Sequence, residues 1–154
     1  MYTIGDLTTG GFWFNGIGEE GTLTSASGFP LQINATSVHI DDFTANFERD
    51  GPNKVHLRGL LLTDDGEYIG VEVIGLLDNT QAVQDIINKK PGAKPTEWGS
   101  LNTFTTWSFQ AAKGSKYADL TTGTFVANFR MWPYEADDSF AVEYHLSKVL
   151  PGKG

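Results

Sequence analysis

Apolar and polar residues alternate with period two along much of this chain, most regularly from Val55 to Leu76, the spacing of half-buried strands. Asp64-Asp65-Gly66 interrupts that run and suits a three-residue hairpin loop, a type I turn closed by glycine at positive φ. Such a loop pairs Thr63 with Glu67, Leu62 with Tyr68, Arg58 with Glu72 and His56 with Ile74. One face of the hairpin then carries Val55, Leu57, Leu61, Ile69, Val71 and Val73, and the other gathers His56, Arg58, Tyr68 and Glu72. The spacing predicts a core face and a chemically equipped face on the same two strands.

Similar runs recur at residues 11–15, 22–25, 31–36, 38–47, 102–111, 123–132 and 140–149, with the hairpin strands at 54–63 and 67–77. Clusters of Gly, Pro, Asp and Asn separate them. Within 38–47, Phe43, Ala45 and Phe47 fall on one side and Asp42, Thr44 and Asn46 on the other. One helix is predicted over 80–88, with N-cap candidates in Asp78-Asn79-Thr80, an apolar stripe of Ala82, Val83, Ile86 and Ile87, and a stop at Pro91-Gly92. Residues 89–100, rich in Pro and Gly, are the best candidate for a mobile loop. The pattern predicts one all-β domain over residues 1–154, an antiparallel β-barrel of about eight to nine strands with one short helix, or alternatively a β-sandwich, since so many strands must hide their edges.

Composition narrows the function. Of 154 residues, 40% are hydrophobic and 19% charged, which suits a packed domain. Eleven basic against nineteen acidic residues give a net charge of −8, a field that repels nucleic acid. Without cysteine, disulfides, thiolate nucleophiles and Cys-ligated zinc are excluded. No basic leader with an apolar segment opens the chain and no run is long enough to span a bilayer, so the expected setting is cytoplasmic, with no membrane partner.

Several features taken in order resemble the domain of unknown function 3237 family of bacteria and fungi. They are Gly10-Gly11 ahead of Gly16, Asp42-Phe43, Arg49-Asp50-Gly51, Arg58 before Thr63-Asp64-Asp65-Gly66, then Ile69, Val71 and Gly75, Phe125-Val126 and Val142-Glu143-Tyr144. The resemblance implies a compact β-barrel, often a homodimer, without an established reaction. Fungal relatives among natural-product genes imply small-molecule chemistry. Two departures from the bacterial pattern would reshape a pocket: Val38-His39-Ile40-Asp41 replaces a glycine-rich step, and Gly59 stands where an aromatic follows the arginine.

Other motifs fail on chemistry. Gly16-Ile17-Gly18-Glu19-Glu20-Gly21 spells a dinucleotide fingerprint, but no helix pattern follows and two glutamates would repel phosphate. His39-Ile40-Asp41 lacks further ligands at a recognisable spacing, so no metal is expected. No Gly-x-Ser-x-Gly elbow occurs. Asn34-Ala35-Thr36 is a glycosylation sequon without a secretory signal.

Arg58, Asp42 and Tyr68 remain as catalytic candidates: Arg58 to hold a developing oxyanion, Asp42 or Tyr68 to move a proton. His56, Glu72, Trp107, Arg130, Trp132 and Tyr144 are candidates for substrate contact. Each has a plainer reading. Arg58–Glu72 suits an exposed cross-strand pair, the aromatic residues suit a core, and Arg130–Trp132 suits a surface cation–π contact. For His56 and Glu72 the plainer reading is preferred; for Arg58 and Asp42 the functional one is, because both belong to the matched pattern. The expected function is a cofactor-independent enzyme acting on an apolar oxygenated small molecule, an isomerase or cyclase of secondary metabolism. The alternatives are a non-catalytic binder of a hydrophobic small molecule and a structural dimer with a filled barrel.

Overall fold

A computed structural model describes residues 2–5, 7–8, 10–46, 51–134 and 139–152. Phe47 and the Arg49-Asp50 pair of the matched pattern lie outside the described residues. The chain is all-β, as its periodicity predicts. Among the described residues ten strands form one antiparallel sheet: β1 (Tyr2–Ile4), β2 (Phe12–Gly18), β3 (Thr22–Thr24), β4 (Asn34–Asp42), β5 (Ala45–Asn46), β6 (Asn53–Thr63), β7 (Tyr68–Leu77), β8 (Phe104–Ala111), β9 (Phe125–Tyr134) and β10 (Ser139–Lys148). Strand order is β10-β9-β8-β7-β6-β5-β2-β4-β3, with β1 beside β2 and a further β4–β6 ladder. Among the described residues no ladder joins β10 to the β1–β4 end. Side chains of β2 and β10 nevertheless line one cleft, so the sheet curls far enough to bring its distant strands to a common space.

The β6–β7 hairpin has the predicted register, with Leu62 opposite Tyr68, Arg58 opposite Glu72 and His56 opposite Ile74. Thr63 donates its N–H to the Glu67 carbonyl at 2.9 Å, and Gly66 takes φ 84°. Val55, Leu61, Ile69, Val71 and Val73 are buried. A neighbouring segment pins the turn: the buried Tyr117 hydroxyl donates to Asp65 at 3.0 Å, and Lys116 pairs with the same carboxylate. That pair and its hydrogen bonds hold Asp65 well below the usual carboxylate range.

The buried face forms two apolar clusters. One joins Ile69, Val71, Val73, Phe109 and Phe125, and the other joins Val55, Leu77, Phe129 and Met131 with the helix residues Val83 and Ile86; Leu57 touches both. Helix α1 (Gln81–Ile87) starts where Thr80 caps the Val83 N–H through its side chain and ends at Asn88. The segment read as a mobile loop is fastened to the sheet. Thr96 is buried, donates its N–H to the Met131 carbonyl and accepts the Met131 N–H on its hydroxyl, both at 2.8 Å. It fills the place beside β9 that β8 vacates, since β8 and β9 pair only over Thr105–Trp107 and Phe125–Ala127.

Two local readings need correction. The predicted strand over 38–47 breaks at Phe43 and Thr44, so alternation fails there: Phe43 is exposed while Thr44, Ala45 and Asn46 are all buried. The expected strands over 31–36 and 38–47 meet instead in β4, through a bulge at Val38. Before the bulge Ser37 opposes Leu61, and after it His39 opposes Leu60. That one-residue shift reverses which residues face the core. Continued without it, the register would set Asp42 against His56 on the solvent face; with it, Asp42 opposes Leu57 on the buried face.

Gly59 makes room for this bulge. A Cβ there would lie 2.7 Å from the His39 carbonyl oxygen and 2.7 Å from Ile40 Cγ1. Gly59→Ala is therefore expected to destabilise the fold by about 2–4 kcal/mol. Gly70→Ala, whose Cβ would meet only the Gln110 side chain at 3.3 Å, should cost less than about 1.5 kcal/mol. Denaturant midpoints of the two variants check this, and equal midpoints would deny the bulge its special demand on residue 59.

Candidate active site

The buried face of the wrapped sheet encloses a cleft whose walls come from distant parts of the chain. Phe14 of β2, Val55 of β6 and Leu77 of β7 form one side, Phe129 and Met131 of β9 with Phe140, Val142 and Tyr144 of β10 the other, and Ile87 of α1 covers an end. Asp42 and Thr44 are the remaining lining residues. The cleft is tight: room for the centre of a water-sized sphere amounts to ≈ 20 Å³, enough for one water.

Asp42 is the one carboxylate in this lining among the described residues. It reaches the buried face because of the Val38 bulge, and the break after it places Thr44 alongside. The Thr44 hydroxyl donates to Asp42 Oδ1 at 2.6 Å. Burial pushes the Asp42 carboxyl from 3.8 up to about 6, against the pull of the Thr44 hydrogen bonds and of the nearby His56. Desolvation wins because the walls are hydrocarbon and aromatic. Tyr144 shares the cleft, and its burial together with the Asp42 charge holds the phenol above its usual range. The Tyr144 ring packs against Phe129 at 4.9 Å between centroids and edge-on against Trp107 at 5.0 Å. Trp107, tied to Thr105 by its indole N–H at 3.0 Å, thus backs Tyr144 without lining the cleft.

The structure separates the other predicted site residues from this cleft. Arg58, His56 and Glu72 meet on the solvent face: Arg58 Nε and Nη2 donate to Glu72 Oε1 at 2.8 and 2.7 Å, and His56 Nε2 lies 3.0 Å from the same oxygen. The Arg58 side chain is 67% exposed and Tyr68 is 55% exposed. A cavity role for Arg58 or Tyr68 is therefore replaced by a surface one, because the hairpin register that turns Leu57 and Leu61 inward turns both outward. His39 and Asp41 pair at 2.6 Å on that outer side, and among the described residues no three His, Asp or Glu side chains gather as metal ligands.

Arg130 and Trp132 also face outward, on β9. Arg130 donates to Glu143 at 2.8 Å and lies between the Trp98 and Trp132 rings, 5.2 and 5.3 Å from their centroids. Trp98 stacks on His145 at 3.8 Å. This cluster helps hold the segment bearing Trp98 to the sheet, a surface cation–π arrangement. Of the predicted residues, the structure brings Asp42 and Tyr144 together, with Trp107 behind Tyr144. Sequence reasoning missed Phe14, Thr44, Met131, Phe140 and Ile87 as partners in one cleft. The available signal was the inward alternation of Phe140, Val142 and Tyr144.

The family model described as protein of unknown function, DUF3237, matches residues 4–149. The chain belongs to this family. A crystal structure of a protein with unknown function from Clostridium acetobutylicum ATCC 824 has a similar fold, with a TM-score of 0.62 at 17% identity over 95% of this chain and 89% of that one. No functionally curated protein matches the chain in sequence. Among the described residues no helix is long and apolar enough to cross a membrane.

An exposed ion pair contributes about 0.2–1 kcal/mol, so Arg58→Ala should leave the melting temperature within about 2–3 °C of the parent. A larger drop in a thermal melt would give the Arg58–Glu72–His56 group a structural weight that its exposure does not predict.

Proposed function

We propose that the Asp42–Tyr144 cleft binds an apolar, oxygenated small molecule and catalyses proton transfer within it, as an isomerase or cyclase that draws on no cofactor. The observation that carries this reading is a carboxyl placed at energetic cost in an apolar, aromatic-walled cleft, raised to about 6. Such a group is poised to take and return a proton near neutral pH. In the proposed step, Asp42 accepts a proton from a carbon or hydroxyl of the substrate. The Tyr144 hydroxyl donates a hydrogen bond to the oxygen on which charge develops, and Asp42 returns the proton at a different atom or to the opposite face of the same carbon. Thr44 orients the carboxyl. Natural-product chemistry among fungal members of the family is consistent with this class of substrate.

A second reading is favoured by one observation, the ≈ 20 Å³ of free room in the cleft. In that reading the lumen is filled and the protein serves a structural role. A non-catalytic binder of the same molecule is separated from the enzyme by turnover alone.

The energetics of Asp42 distinguish these readings. Its value in the folded protein is raised above its ordinary 3.8. As pH rises the unfolded chain therefore loses this proton first, and the stability conferred by the protonated form, complete below about 3.8, is lost as pH passes through about 6. Asp42→Asn removes the titration and can still accept the Thr44 hydroxyl. It should raise stability at pH 8 by roughly 1–3 kcal/mol relative to its effect at pH 4. Activity should fall by about 10²–10⁴-fold, read as accumulation of an unrearranged intermediate in cells carrying the variant. Stabilisation with unchanged metabolites would leave the filled, structural reading.

A further inference from the structure

We infer that the substrates of this cleft carry a positively charged nitrogen, an iminium or ammonium group set in an apolar skeleton. The inference rests on the reading that the cleft is the ligand site and adds the charge of the ligand to it.

The lining supplies the first argument. Among the described residues, four aromatic side chains, Phe14, Phe129, Phe140 and Tyr144, line the cleft with one carboxylate and no Lys, Arg or His. Aromatic faces beside a carboxylate recognise ammonium groups through ring quadrupole and ion pairing together, most strongly where water is excluded. An anionic substrate would meet Asp42 with no compensating cation among the described lining residues. Other described basic groups are engaged on the solvent face: Arg58 and His56 with Glu72, His39 with Asp41, and Arg130 with Glu143. The net charge of −8 biases encounter in the same direction.

The chemistry supplies the second argument. Deprotonating a neutral carbonyl compound only moves the negative charge of Asp42 onto the substrate oxygen, where the Tyr144 hydroxyl meets it. An iminium substrate removes the charge altogether. The C–H bond beside the C=N⁺ group breaks and its proton passes to the Asp42 carboxylate. The C–H electron pair becomes a C=C bond, and the C=N π pair moves onto nitrogen. A carboxylate and a cation thereby become a carboxylic acid and a neutral enamine, a charge annihilation that a low-dielectric cleft favours. Returning the proton to the opposite face of the same carbon restores the carboxylate and the C=N⁺ bond and gives the epimeric iminium. No oxidant or reductant enters.

The test uses three probes of matched shape: choline, 3,3-dimethylbutan-1-ol and 3,3-dimethylbutanoate, titrated calorimetrically at pH 8 into the parent, Asp42→Asn and Ile87→Ala, the last widening the cleft. Choline should bind the parent or Ile87→Ala roughly tenfold more tightly than the alcohol, the carboxylate should not bind, and Asp42→Asn should abolish the preference. Equal affinity for choline and the alcohol, or a preference that survives Asp42→Asn, would overturn the charge inference while binding in the cleft still stood. Silence of all three probes with both the parent and Ile87→Ala would overturn the cleft reading itself and this inference with it.

Discussion

The register of the β6–β7 hairpin is the constraint on which the rest of the molecule depends. A side-chain period of two means that a one-residue slip would exchange the two faces entirely. That slip is opposed at the turn, where Gly66 at φ 84° closes the loop and the buried Tyr117 holds Asp65. With the register set, Val55, Leu61, Ile69, Val71 and Val73 are committed to the core. Burying five such side chains stabilises on the order of 1.5–3 kcal/mol each relative to exposure, far more than any solvent-face ion pair can supply. The arginine therefore faces outward because the leucines beside it face inward.

Both neighbours of the hairpin inherit this choice. β8 sets Phe109 against Val71 and Trp107 against Val73, continuing the apolar face. β4 joins β6 in the same sense as far as Ser37, then gains Val38 and emerges with its faces exchanged. Ala35 faces inward before the bulge, and Ile40 and Asp42 face inward after it. The cost of the extra residue is met by Gly59, where a side chain would strike the His39 carbonyl. On the solvent side the same region carries two hydrogen-bonded groups, Asn15, Asp41 and His39 across β2 and β4 and His56, Glu72 and Arg58 across β6 and β7. Charges that suggested catalysis thus lie directly behind the strand that delivers the buried carboxyl.

These relations explain how much could be read in advance. The hairpin was legible to the residue because its turn chemistry and its alternation agree. The helix was legible because Thr80, the Ala82–Ile87 stripe and Pro91-Gly92 give consistent start, face and stop signals. The face of Asp42 was not legible. It depends on a bulge that leaves no composition signal, Val38 being as good a strand residue as its neighbours. The role of Arg58 was not legible for the related reason that membership in a matched pattern does not say whether a residue serves folding or chemistry. Tyr144 was visible only as one aromatic among many, since Phe14, which shares its cleft, comes from the distant β2 through the wrapping of the sheet, while Phe129 opposes it on β9. The segment bearing Thr96 and Trp98 looked loose because Pro and Gly predict irregular backbone, and irregular backbone can still be fastened by a few buried contacts such as Thr96 with Met131.

Asp42 then poses a problem that packing alone does not solve. An asparagine would keep a hydrogen-bond acceptor for the Thr44 hydroxyl, and an apolar residue would suit the Phe14 and Val142 walls, so neither the hydrogen bond nor the packing requires an acid at this position. The fold nevertheless spends a bulge, a constrained glycine and a desolvated carboxyl to set an acid among hydrocarbon and aromatic walls. Desolvated ionisable groups in natural proteins are either ion-paired, which Asp42, hydrogen-bonded by the Thr44 hydroxyl and backbone, is not, or retained for a task that stability alone would not preserve. The solvent-face charges, satisfied and exposed, raise no comparable problem. The local conflict between stability and chemistry therefore falls on Asp42, and the search for a function belongs on the inner side of the sheet.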